Sequence, residues 1–452
     1  MLTGTQASPT YSGGGLRHRS LSSVAAGLAA LIPALLIGYS ALIDPLINFD
    51  LAVGYGFGGV SVGADQKSTF VTQIFMPVIL LVSLALAACS SFRPPKELFF
   101  AALPGVLFLA LAFASVAWSR DSGNTLTLAI YQSIIFSTLL VSVAVAANPD
   151  KILRYLLLMF AVAVAVNLVA VILRPPSPIG HAGIYDHKNT LGGAAGCAFM
   201  FGFFHLFRGG FFTRAIALFT VAGALVLTLA SYSKTALALV LMAPVLSLGL
   251  YVTVRVLRLG VLPVLALFAT GLFSLGYIFA HLFRLKMDDI FLAVFGSTSF
   301  TGRREIWEFV WDYIAQAPIL GNGYRAFWTF DESSPKHSSQ IEFIRLTGSS
   351  HSGYIDTALD LGLVGVCLLA FLILTVLFMT GRLRVRPVIL TLFYMSIVIF
   401  VLARNGMESV IMWSTFVDNL CFLLVGFLAC YRHDLPDRSR RAAVGSTRAG
   451  RV

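Results

Sequence analysis

Charge is what this chain has least of. Asp, Glu, Lys and Arg make up 12% of its 452 residues, whereas 58% are hydrophobic and the mean hydropathy is +0.85. A soluble domain carries about 25% charged residues, so soluble, disordered and collagen-like chains are all excluded. Cysteine is sparse too. Cys89, Cys197, Cys367, Cys421 and Cys430 form no CxxC pair and fall inside or at the ends of apolar segments. They read as small core thiols, not as a disulfide framework or a metal site. No P-loop, no GxSxG elbow and no histidine pair at i, i+4 occurs, and Asp288, Asp289, Asp331 and Glu332 form no Asp-x-Asp. ATP hydrolysis, serine hydrolysis and a metal centre (none is expected) therefore lack support in the motifs.

What the chain has is long apolar runs, near 21–43, 70–89, 98–117, 125–146, 152–173, 190–207, 215–230, 235–254, 261–281, 361–380, 388–403 and 411–430. A crossing takes about 20 residues, so the expected fold is an all-α polytopic membrane protein of about twelve transmembrane helices. The first run, preceded by Arg17 and Arg19, is too long for a signal peptide and reads as a retained helix. The net charge of +11 suggests no nucleic acid, because the 32 Lys and Arg are scattered between apolar runs and make no single basic face. Their sidedness is informative. One set of connections, with the six arginines after Tyr431, holds 19 of them, and the opposite short loops hold 6: Lys67, Arg120, Arg174, Lys188, Lys234 and Arg404. By the positive-inside rule both termini are expected to be cytoplasmic and the long loop 282–360 external.

The expected division is thus a tail 1–20, helices one to nine over 21–281, the external loop 282–360, helices ten to twelve over 361–430, and a basic tail 431–452. The N-terminal 15 residues and the basic tail are expected to be disordered. Within the loop, Gly302 to Ala317 predicts an amphipathic helix with Trp307, Val310, Trp311 and Ile314 on its apolar face, Thr301 as N-cap and Pro318 as its stop. Pro318 to Gly323 predicts a turn, and Asp331 to Ser350 an irregular, mobile stretch. Hydropathy shows no inverted-half symmetry, which argues against a secondary transporter.

Four constellations could carry chemistry. Arg303 and Arg304 open the amphipathic helix, where unpaired backbone N–H groups favour an anion such as phosphate. Arg303 shares the Trp307 face, whereas Arg304 can make a plain ion pair with Glu308; a cation snorkelling beside a tryptophan is the bland alternative. His351, in Ser349-Ser350-His351-Ser352-Gly353-Tyr354, is expected at a helix N-terminus, where the dipole keeps imidazole a neutral base. Tyr354, one turn on, could orient the ring or a substrate, and a polar interface anchor is the alternative for the histidine. Lys234, in the short hairpin Ser231-Tyr232-Ser233-Lys234, is either a snorkelling cation or part of an anion site. Tyr185-Asp186-His187-Lys188-Asn189 closes another external loop, where Asp186 could pair with His187 and Lys188 add charge, against a merely solvated loop.

Taken together these pieces resemble the O-antigen ligase and Wzy-type polymerase superfamily, most closely its ExoQ-type exopolysaccharide polymerases. The resemblance spans roughly Ile184 to Leu369. It rests on Gly183-Ile184-Tyr185-Asp186-His187-Lys188-Asn189, Ser231-Tyr232-Ser233-Lys234-Thr235, Thr301-Gly302-Arg303 with Trp307, Pro318-Ile319-Leu320-Gly321-Asn322-Gly323, His351-Ser352-Gly353-Tyr354 and Leu361-Gly362-Leu363-Val364-Gly365. It implies a fold like that of GT-C-like glycosyltransferases, and a metal-independent, inverting glycosyl transfer from a polyprenyl-diphosphate-linked glycan at the periplasmic face of the bacterial inner membrane. Carried over by position, Arg303 would clamp the diphosphate with Lys234, and His351 would activate the acceptor hydroxyl. Arg304, Tyr354, His187, Lys188 and Asn189 would be supporting residues. Ligases usually show arginine at the position of Lys234, which leans the reading towards polymerase. The expected partners are the lipid-linked glycan, the bilayer and, as a candidate, a chain-length regulator or copolymerase, with no cofactor. Ligation of glycan to lipid A core is the alternative, and a transporter or flippase is the alternative from another class.

Overall fold

A computed structural model describes residues 14–47, 70–282 and 302–431, apart from positions 92, 147, 178, 330, 333, 414 and 415. Residues 1–13 and 432–452 of the two tails, and Thr301, Asp288, Asp289 and Lys67, lie outside the described residues, whereas Gly14 and Gly15 are helical and Tyr431 is buried. Among the described residues the regular elements are helices. The helices are α1 (Gly14–Ala29), α2 (Ile32–Gly38), α3 (Asp44–Ile47), α4 (Phe70–Ala88), α5 (Lys96–Ala114), α6 (Ser122–Val145), α7 (Pro149–Leu173), α8 (Lys188–Leu206), α9 (Phe211–Ala230), α10 (Lys234–Leu257), α11 (Val261–Leu282), α12 (Arg303–Gln316), α13 (Glu342–Leu346), α14 (Gly353–Thr380), α15 (Val388–Asn405) and α16 (Val417–Leu428).

Among the described residues, ten helical stretches are long and apolar enough to cross a bilayer, and each coincides with one of the twelve apolar runs. The other two runs differ in instructive ways. Run 190–207 becomes α8, 19 residues or about 28 Å long, but its sequence is rich in Gly and Ala. It needs no lipid-facing side chains because it lies inside the bundle, against α7, α9, α10, α15 and α16. Its glycines let neighbours approach: a Cβ on Gly196 would sit 2.1 Å from the Phe400 ring, and one on Gly192 2.8 Å from Ala236. Run 411–430 is helical only from Val417, about 18 Å of helix. Before it, Val410 to Met412 are buried and non-helical, with Val410 and Ile411 N–H donating to Asn405 Oδ1 and Met412 N–H to Asn419 Oδ1. Non-helical backbone is tolerated at that depth only when so satisfied.

α14 starts at Gly353, just after His351 as expected of a helix N-terminus there and eight residues before the apolar run, and is broken at Gly362 (φ 60, ψ −159). The Pro318–Gly323 turn repairs the break with main-chain bonds: Asn322 and Gly323 N–H donate to Leu359 and Asp360 carbonyls, and Leu363 and Val364 N–H donate to Pro318 and Ile319 carbonyls. Gly321 (φ +66) and Gly362 (φ +60) are both left-handed and face the opposite backbone so closely that a Cβ would lie 2.4 Å from a carbonyl carbon. Two of the motifs quoted above are thus the halves of one joint.

The amphipathic helix is α12, capped by Gly302 (φ 80). Its buried face is Ile306 and Val310, with Trp307 and Ile314 half-buried, whereas Trp311 is 65% exposed. The expected stripe is therefore rotated, and the helix packs on α14. The stretch 331–350 is not irregular throughout: it contains a 3₁₀ turn at Pro335–Ser338, α13, and a fully buried Lys336 whose Nζ donates to the Thr347 carbonyl at 3.2 Å. Cys197, Cys421 and Cys430 are buried as expected, but Cys89 and Cys367 are exposed. Charged connections pair in keeping with the two sets read from the sequence, Arg208 with Asp150 and Arg382 with Glu97 in one set. Arg120 contacts Asn322 of the long loop in the other.

Candidate functional site

Besides Lys96 at the start of α5, three of the described helices open with a cation. Lys188, Lys234 and Arg303 are the first residues of α8, α10 and α12. A helix N-terminus is the positive end of the dipole and selects against such residues, so each alone is a small local destabilisation. Their charges act on one another: Lys188 interacts electrostatically with Glu408, Lys234 and Arg303. The shared carboxylate is Glu408, in the connection between α15 and α16. Its Oε1 accepts from Arg303 Nη2 at 3.0 Å and from Asn189 Nδ2 at 2.6 Å, and its Oε2 lies 3.1 Å from His351 Nδ1.

Local chain geometry fixes each partner. His351 lies just outside α14, whose N-cap is Ser352, and its backbone is left-handed (φ 54). Left-handed conformation in a non-glycine residue persists only where surroundings over-determine it. Here Trp307 Nε1 donates to the Ser350 carbonyl at 3.0 Å, and His351 N–H donates to Ser349 Oγ at 3.3 Å. His187 caps α8 by accepting the Asn189 N–H on its Nδ1 at 3.2 Å, and Lys188 Nζ donates to the Ile179 carbonyl at 3.0 Å. Behind the site, Arg404 makes a buried ion pair with Asp418 at 2.5 Å and donates to the Asn189 carbonyl at 3.1 Å. Gly193 makes room for that pair: a Cβ there would lie 2.6 Å from Arg404 Nη2.

The electrostatics set the proton positions. Burial would raise the Glu408 carboxyl, but His351, its hydrogen bond, Arg303 and Arg404 outweigh burial and bring it down to about 2. An ionised carboxylate can only accept, so the His351 Nδ1 must donate to it and Nε2 is left as the ring's basic atom. Burial pushes His187 below its ordinary value, partly offset by Glu408, so this second ring stays neutral.

Of the residues singled out from sequence, Arg303, His351 and Asn189 meet at Glu408, and Lys188 acts on it electrostatically. Lys234, itself exposed, and His187 join them electrostatically. Arg304 does not join them: it makes an exposed i, i+4 pair with Glu308 at 2.8 Å, as the bland reading had it. Tyr354 does not orient the ring, because its hydroxyl donates to the Leu402 carbonyl at 2.9 Å on α15. Asp186 is exposed, as a solvated loop would have it, and acts on His187 only electrostatically while the His187 ring caps α8. The helix-dipole argument for a neutral His351 gives way to a carboxylate partner. Glu408 itself escaped the sequence reading, although a lone acid in a short connection among external cations was a usable signal.

Residues 216–370 match the family model Wzy_C, described as O-Antigen ligase. The architecture is that of an all-α polytopic membrane protein, and about a third of the chain resembles this family. The chain is 29% identical over 99 residues to "Exopolysaccharide production protein ExoQ" of Rhizobium meliloti (strain 1021), a match covering 21% of this chain and 22% of that protein. The chain thus matches about a fifth of the length of this curated relative. The matched region 216–370 contains Lys234, Arg303 and His351, whereas Lys188, Asn189 and Glu408 fall outside it.

Proposed function

We propose that this protein is a glycan polymerase of the bacterial inner membrane, joining polyprenyl-diphosphate-linked oligosaccharide repeats into exopolysaccharide or O-antigen at the periplasmic face. The observation that carries the reading is the cluster of Arg303 and His351 on Glu408, with the helix-opening cations Lys188 and Lys234 acting electrostatically on it and on one another. Three unfavourable helix starts so coupled make sense if an anion compensates them. A diphosphate anchored in the outer leaflet is such an anion.

In the proposed reaction His351 Nε2 takes the proton of the acceptor hydroxyl while Glu408 holds Nδ1–H and stabilises the imidazolium that forms. The acceptor oxygen bonds to the donor's anomeric carbon from the face opposite the leaving group, inverting it. The bond from that carbon to the diphosphate oxygen breaks, and the diphosphate leaves with the electron pair. Arg303, Lys234 and Lys188 stabilise the charge that develops on it. Arg303 can grip two oxygens at once, whereas Lys234 and Lys188 act as point charges. The lipid-linked diphosphate supplies the activation, so neither ATP nor a metal enters the scheme. The reading places the termini in the cytoplasm and the site outside, and admits a chain-length regulator or copolymerase as a partner.

Polymerisation is preferred to ligation because the ExoQ relative is named for exopolysaccharide production, and because Lys234 stands where ligases usually carry arginine. The deciding experiment supplies purified protein in nanodiscs with lipid-linked repeat as the sole substrate. Lengthening products establish polymerase, a requirement for lipid A core establishes ligase, and unchanged substrate in both arms refutes the reading. Labelling of a cysteine placed at Lys234 by a membrane-impermeant reagent, from the periplasmic side only, is expected as well.

A further inference from the structure

The His351–Glu408 pair is formed by two segments remote in sequence, and neither is helical at that point. Something must fix their separation. The carboxylate of Asp356, one turn into α14 and with no exposed surface, reaches both. It accepts the Ser350 N–H on Oδ1 at 3.1 Å and on Oδ2 at 3.2 Å, the Trp328 Nε1–H on Oδ1 at 2.9 Å, and the Ser409 hydroxyl on Oδ2. Ser350 precedes His351, and Ser409 follows Glu408. One side chain therefore ties the residue before the base to the residue after its carboxylate partner, with the indole of the Trp328 loop as third support.

We propose that Asp356 is the positioning residue of the reaction: its hydrogen bonds to Ser350 and Ser409 set the His351–Glu408 distance and hold His351 in its left-handed conformation. The inference rests on the proposed function. Asp356 touches neither the substrate nor the imidazole. A buried carboxylate is a poor source of net stability compared with apolar packing, whereas a catalytic pair must be held to within about 0.5 Å. An asparagine could keep the same contacts, with Oδ1 accepting from Trp328 and Ser350 and Nδ2 donating to Ser409 Oγ, so hydrogen-bond geometry is what the role requires.

The test is initial-rate elongation in nanodiscs with lipid-linked repeat, comparing Asp356→Ala, Asp356→Asn, Ser409→Ala and His351→Ala. Asp356→Ala is expected to lower kcat by at least about tenfold while the donor KM stays within about threefold, as misplacement of a reacting group by 1 Å can cost about 100-fold. Asp356→Asn should restore most of kcat. If Asp356→Ala does not survive extraction, Ser409→Ala carries the test, with kcat down roughly threefold or more at unchanged KM and thermal midpoint. Wild-type kcat in Asp356→Ala or Ser409→Ala, or failure of Asp356→Asn to rescue, overturns the proposal while an inactive His351→Ala leaves the underlying reading intact. Activity in His351→Ala instead sinks that reading.

Discussion

Glu408 Oε2 lies 3.1 Å from His351 Nδ1, and because Arg303 and Asn189 hold the other carboxylate oxygen, the pair has a fixed proton arrangement. Nδ1 donates and Nε2 is the basic atom. Replacing Glu408 by Gln puts an amide where an obligatory acceptor stood, allowing the opposite tautomer. We expect kcat for transfer to fall by roughly 10² to 10⁴-fold with little change in donor KM. His351→Ala should leave the protein inserted and abolish polymer growth, measured by product ladders from nanodisc assays.

The depressed Glu408 carboxyl makes a stability prediction. Its folded value of about 2 lies below the ordinary 4.5, so the folded state binds fewer protons between those limits. The stability it contributes is present above pH 4.5 and is lost as pH falls through 2, on the order of 3 kcal/mol in total. Glu408→Gln should flatten the acid limb of the thermal-midpoint profile in detergent. An unchanged limb would contradict the assignment.

Arg303 offers a separable test. Arg303→Lys keeps one charge but loses the planar fork, so the donor KM should rise about tenfold with kcat reduced less. Arg303→Ala also strands the Glu408 carboxylate and should be worse in both parameters. Added chelator should leave the wild-type rate unchanged; a rate lost to chelation and restored by a divalent ion would rule the proposed scheme out.

The joint between the Pro318–Gly323 turn and the break in α14 predicts where substitution is not tolerated. Gly321→Ala and Gly362→Ala each drive a Cβ to 2.4 Å from a backbone carbonyl carbon at positive φ. Both should abolish monodisperse protein in size-exclusion of extracted membranes. Gly249→Ala, in α10 with nothing within 4 Å of the new methyl, should be neutral or slightly stabilising.

How much of this was legible follows the physics of each feature. Ten crossings were readable because lipid exposure enforces apolar side chains over a full helix length. α8 was found by its apolar run, yet it carries little hydropathy because protein surrounds it. The break at Gly362 was hidden, since a backbone angle leaves only a glycine as its trace. On α12 the tryptophans misled: an amphipathic ring can sit at a boundary, so Trp311 faces outward while Ile306 and Val310 form the buried face. Arg303, Lys234 and His351 were accessible from local sequence and the family resemblance. Glu408 and Asp356 were not, because their roles arise from contacts across 57 and 53 residues of chain.

The peptide-to-peptide joint at Gly321 and Gly362 has one more consequence. A mooring built mostly from main chain tolerates drift in neighbouring side chains, so the segments on either side can change their side chains while the offset between the two halves of α14 stays constant.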